Sequence, residues 1–71
     1  MKMGRFISTK TGVVNKDSVT GLTRCKGTYP WNGKEYFSII IHLQGTTEEV
    51  KFDDQAERNQ EFENLLRELK S

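Results

Sequence analysis

The chain has 71 residues, of which 34% are apolar and 30% charged, and its formal net charge is +1. That length holds a single domain, residues 1–71, near the lower limit at which one hydrophobic core keeps a chain folded unaided. Cys25 is the one cysteine and His42 the one histidine, which excludes an internal disulfide and a Cys/His zinc cluster.

A thin core without a cross-link or metal is expected to lean on a partner surface, so self-association into a homo-oligomer is one expectation. No apolar run approaches the ~18 residues of a membrane span and no signal segment is visible, so the chain reads as cytoplasmic, with no membrane partner. The charge is unevenly placed. Residues 1–34 carry seven basic side chains and one acid, and residues 35–71 carry four basic side chains and nine acids. Such asymmetry marks either an internal match between a basic sheet and an acidic helix or an acidic or polyanionic partner for the basic half.

In chain order, Met1 to Met3 reads as a frayed start. A short strand is expected over 5–8 with Phe6 inward, then a polar turn at Lys10-Thr11-Gly12 and a second strand over 12–15. Asn15-Lys16-Asp17-Ser18 signals another turn. The third strand, 19–29, departs from period two because Val19 and Leu22 lie three apart across Gly21. A bulge there brings both side chains to one face. Pro30 cannot donate to a ladder, and Asn32-Gly33 between extended residues predicts a type I′ hairpin.

The fourth strand, 35–44, alternates most clearly. Phe37, Ile39, Ile41 and Leu43 fall on one side, with Tyr36, Ser38, Ile40, His42 and Gln44 on the other. After a glycine turn at Gly45, Val50 and Phe52 repeat the pattern over 48–52. A helix is expected over 54–70, begun by Asp54 as N-cap with Glu57 three residues on, and carrying an apolar stripe of Phe62, Leu65, Leu66 and Leu69. The fold class is therefore α+β: a small antiparallel β-meander of four to five strands packed by one C-terminal helix.

The order of a short strand, the segment Gly12-Val13-Val14-Asn15-Lys16-Asp17-Ser18-Val19, a long alternating strand, Glu49-Val50-Lys51-Phe52-Asp53 and a helix ending Phe62-x-x-Leu65-Leu66-x-x-Leu69 resembles short bacterial and phage proteins with a reduced PH-like layout. The resemblance spans nearly the whole chain and implies a fold. It implies no lipid-headgroup site, because a full PH domain has more strands than this chain can form.

Little in the sequence points to catalysis, so no enzyme activity, catalytic residue, metal ligand or cofactor is expected. His42 lacks a recognisable orienting acid or nucleophile. Cys25 alternates away from its cationic neighbours Arg24 and Lys26 and reads as a small apolar side chain. The paired acids Glu48-Glu49 and Asp53-Asp54 lack calcium-loop spacing, and the scattered glycines form no phosphate loop.

The informative constellation is aromatic and basic. Tyr29, Trp31 and Tyr36 bracket the predicted turn, with Arg24, Lys26 and Lys34 in the same hairpin. Rings beside cations serve protein hot spots and also the sequence-tolerant binding of single-stranded nucleic acid. The expectation is a small interaction module that binds another protein through this 24–36 hairpin or a sheet edge. The alternative is a single-stranded nucleic-acid-binding protein that uses the basic N-terminal sheet, against which stands a sequence pI near 7.9.

Overall fold

A computed structural model of the chain describes residues 6–70; the expectations for Met1–Met3 and for Arg5 fall outside the described residues. The order of elements is β1 (Phe6–Thr9), β2 (Gly12–Asn15), a single 3-10 turn (Lys16–Ser18), β3 (Val19–Thr28), β4 (Glu35–Leu43), β5 (Thr46–Phe52) and α1 (Gln55–Lys70). The α+β class expected from the pattern is therefore present, with five antiparallel strands and one C-terminal helix. The strands do not form one meander. β1 and β2 make a two-stranded ribbon of their own, and β3, β4 and β5 make a three-stranded sheet in that order.

β4 is the centre of the sheet because it is the only one of these strands paired on both sides, and its alternation decides what is buried. Ile39 and Ile41 have essentially no exposure, and they meet Val50 and Phe52 of β5, Leu65 of α1 and the ribbon residues Ile7 and Val14. Val19, Leu22, Leu43, Phe62 and Leu69 pack around this cluster while partly exposed. Burying side chains of this size contributes ~1.5–3 kcal/mol each, so the helix and ribbon are held on the sheet by apolar contact. Among the described residues no helix is long and apolar enough to cross a membrane.

Several local expectations hold. The register of β3 on β4 shifts between Val19 and Gly21, which is the bulge that lets Val19 and Leu22 both reach the core. The N–H of Glu57 donates to the Asp54 carboxylate at 3.2 Å and that of Arg58 to the Asp54 carbonyl at 3.0 Å, so Asp54 caps α1.

Three others are corrected. Phe6 is 64% exposed and Ile7 is the inward residue of β1, paired with Val14. Phe6-Ile7 and Val13-Val14 place apolar residues on both faces of the ribbon, so alternation alone cannot choose between them, and a slip of one residue exchanges the faces. Leu66 is half-buried, and Leu65 is the leucine of α1 that enters the core. The buried stripe of the helix runs through Arg58, Phe62, Leu65 and Leu69, at i, i+4, i+7 and i+11.

The third correction is the turn between β3 and β4. A type I′ turn needs positive φ at both central residues, yet only glycines have positive φ here, so Asn32 does not adopt it. The Gly33 N–H donates to the Tyr29 carbonyl and the Tyr29 N–H to the Lys34 carbonyl, both at 2.9 Å, while the Lys34 N–H donates to the Asn32 side chain at 2.9 Å. Pro30, with its φ fixed near −65°, opens a wider turn that Gly33 closes at φ 71°. The wider loop carries Trp31 at its tip.

Candidate interaction site

The alternation of β3 and β4 sorts the predicted site residues onto two faces. Cross-strand partners share a face, so Arg24 opposite Ile39 and Lys26 opposite Phe37 lie on the side covered by α1. The Arg24 guanidinium sits 4.9 Å from the Phe62 ring centre, and the Lys26 ammonium lies 3.9 Å from the Glu35 carboxylate. Gly27 opposite Tyr36 and Cys25 opposite Ser38 lie on the other face, away from α1.

On that open face the three rings come together. Tyr29 stacks on Trp31 with centroids 4.9 Å apart and meets Tyr36 at 4.8 Å in a tilted contact. Lys51, which faces Ser38 across the β4–β5 ladder, places its ammonium 4.8 Å from the Tyr36 centroid and 5.7 Å from that of Tyr29. Trp31 ends the row at 75% exposure, the most exposed large apolar side chain among the described residues. Lys34 is exposed in the same loop. Thus Tyr29, Trp31 and Tyr36 are brought together with Lys34 nearby, whereas Arg24 and Lys26 stand apart from them.

The row has a seat. A Cβ built on Gly27 would lie 2.6 Å from the Tyr36 hydroxyl and 2.7 Å from Cζ, so the ring lies across the bare backbone of Gly27. Gly27 is present for this close approach and not for an unusual φ. With Tyr36 flat on the sheet, Tyr29 has a surface to meet and Trp31 is held outward.

Two residues outside the predicted set complete the region. Lys51 joins the rings, and period two in β5 already placed it on the face opposite Val50. Arg58 is 6% exposed, donating from Nη1 to the carbonyls of Cys25 at 2.8 Å and Ser38 at 3.4 Å and from Nε to Asn59 at 2.8 Å. Its guanidinium also lies 5.6 Å from the Phe37 ring centre. A charge in the buried stripe of a helix is hard to foresee. The only signal was its position four residues before Phe62.

The groups with chemical potential are dispersed. His42 is half-buried on the open face, its Nε2 2.8 Å from the Thr23 hydroxyl. Cys25 is half-buried on the same face, away from the cations that flank it in sequence. Among the described residues no three His, Cys, Asp or Glu side chains converge as metal ligands would. Compared with protein-family models, curated proteins and solved structures, the chain matches none of them.

Proposed function

We propose that the chain is a non-enzymatic interaction module that grips a partner protein through the Tyr29–Trp31–Tyr36 row. The observation that carries this reading is Trp31, three-quarters exposed and braced by Tyr29 at 4.9 Å. A large amphipathic ring held rigid before binding loses little conformational entropy on association, and Trp and Tyr dominate the energetics of protein interfaces. Nucleic acid is the weaker reading, because stacking platforms for single strands combine rings with a cationic track, and beside the rings stand Lys34 and Lys51 alone of the cations described, with Arg24 and Lys26 on the far side of the sheet.

Replacement of Trp31 tests this. Trp31→Ala is expected to lower thermal stability by no more than ~1 kcal/mol, the usual range for an exposed side chain, and to abolish capture of a nuclease-resistant protein partner from lysate of the native cells. Capture that disappears on nuclease treatment assigns the surface to nucleic acid instead. Capture unaffected by the substitution removes the aromatic row from the interface.

A further inference from the structure

The three-stranded sheet has two edges, and they are not equivalent. The Tyr29 N–H that donates to Lys34 fixes the phase of the β3–β4 ladder. Antiparallel alternation then turns the backbone groups of Cys25 and Gly27 toward β4 and those of Leu22, Arg24, Lys26 and Thr28 outward. By the same alternation Thr47, Glu49 and Lys51 point away from β4 at the other edge. There the outward carbonyl of Lys51 accepts the Lys10 ammonium of the β1–β2 turn at 2.9 Å, and that ammonium also lies over the Phe52 ring at 4.6 Å. One outward carbonyl of the β5 edge is therefore engaged by Lys10. Among the described residues the β3 edge has no strand beside it, and β3 is the longest strand at ten residues.

We infer that the β3 edge accepts an extended acidic segment of a partner protein as a fourth strand. This deepens the interaction-module reading and rests on it. Strand addition draws affinity from main-chain hydrogen bonds and specificity from alternate side chains. On the helix side an added strand runs beside Arg24 and Lys26, which line a groove of about 290 Å³ between β3, β4 and the start of α1. That groove is lined by Arg24, Lys26 and Arg58 against a single carboxylate, Glu35. Alternate residues of the segment are therefore acidic. Those between them face Cys25, Gly27 and Tyr29 on the open side, where apolar side chains extend the aromatic row. A second copy of this chain is disfavoured as the occupant, because β3 against β3 sets the cations of one copy beside those of the other.

The test uses the full chain and synthetic nine-residue peptides of alternating glutamate and valine, the same peptide with lysine for glutamate, and the glutamate peptide N-methylated at alternate residues to remove one edge of donors. Amide hydrogen exchange read by NMR is expected to slow at least tenfold at Leu22, Arg24, Lys26 and Thr28 on adding the glutamate peptide. The inward amides of Cys25 and Gly27 change little, and neither the lysine peptide nor the methylated one gives protection. The double variant Arg24→Glu, Lys26→Glu is expected to weaken binding of the glutamate peptide at least tenfold and to favour the lysine peptide. Equal protection by glutamate and lysine peptides overturns the acidic specificity. Shifts at Trp31 and Tyr36 without protection on β3 overturn strand addition and leave the aromatic surface standing, and no response to any peptide overturns the strand-addition inference while leaving Trp31-dependent capture to decide the other reading.

Discussion

Gly27→Ala is the sharpest probe of the aromatic row, because it adds one methyl group to a strand that any residue could otherwise occupy. The new Cβ would stand 2.6 Å from the Tyr36 hydroxyl and 3.0 Å from Cε2, so the ring has to swing off the sheet. Swinging away breaks the contact with Tyr29, worth ~0.5–1.5 kcal/mol, and the approach of Lys51, worth ~0.5–1 kcal/mol at an exposed site. Alanine in a strand returns ~0.5–1 kcal/mol over glycine. The net loss is about 1 kcal/mol, a fall in Tm of roughly 4–8 °C for a domain of this size. Thermal unfolding followed by circular dichroism measures it, and the near-ultraviolet signal of the rings is expected to fall with it. In a Tyr36→Ala background the clash is gone, and the same substitution becomes stabilising by ~0.5–1 kcal/mol. Equal effects of Gly27→Ala in both backgrounds would refute the claim that glycine is there to seat Tyr36.

The helix offers a paired comparison: Leu65→Ala is expected to cost ~3–5 kcal/mol as a fully buried truncation, and Leu66→Ala no more than about half of that, measured by urea unfolding. Arg58→Lys is expected to destabilise more than Arg58→Met, because a buried ammonium cannot donate from two separate nitrogens, to the two carbonyls at Nη1 and to Asn59 at Nε, whereas methionine refills the space without a charge. The Ser38 hydroxyl is fully buried without a hydrogen-bond partner, so Ser38→Ala is expected to raise stability by ~1 kcal/mol, and a loss of stability would show that the hydroxyl does have a partner.

The elements most legible in the sequence were those in which one face is buried and the other is not. β4 declares its inner face through Phe37, Ile39, Ile41 and Leu43. The irregular spacing of Val19 and Leu22 announced the bulge because two core residues three apart in a strand have no other way to share a face. Legibility failed where neighbouring residues were equally apolar. Phe6 and Ile7 offered two registers, and only the docking of the ribbon on the core selected Ile7. It failed again at Asn32-Gly33, where Pro30 three residues before Gly33 overrode the dipeptide signal with a wider loop.

The candidate site was half legible. Nearness in sequence joined Tyr29, Trp31 and Tyr36 to Arg24 and Lys26, while the alternation of β3 separated them. The even-numbered cations and the odd-numbered Tyr29 were bound for opposite faces, a distinction present in the sequence and stronger than proximity along it. Lys51 was hidden for a different reason, since its neighbours on the open face come from another strand.

The single ammonium that Lys10 sets on the outer carbonyl of Lys51 has a bearing on how the molecule behaves in crowded solution. Polymerisation by edge pairing requires a free flank on each side of every subunit, so that growth at one end never exhausts the other. With the Lys51 carbonyl of the β5 flank engaged by the chain's own lysine, a strand arriving there has to displace that ammonium, which makes β5 the poorer of the two flanks for growth. Growth along this route is therefore harder at its second step than at its first, a bias toward one partner over a chain of copies.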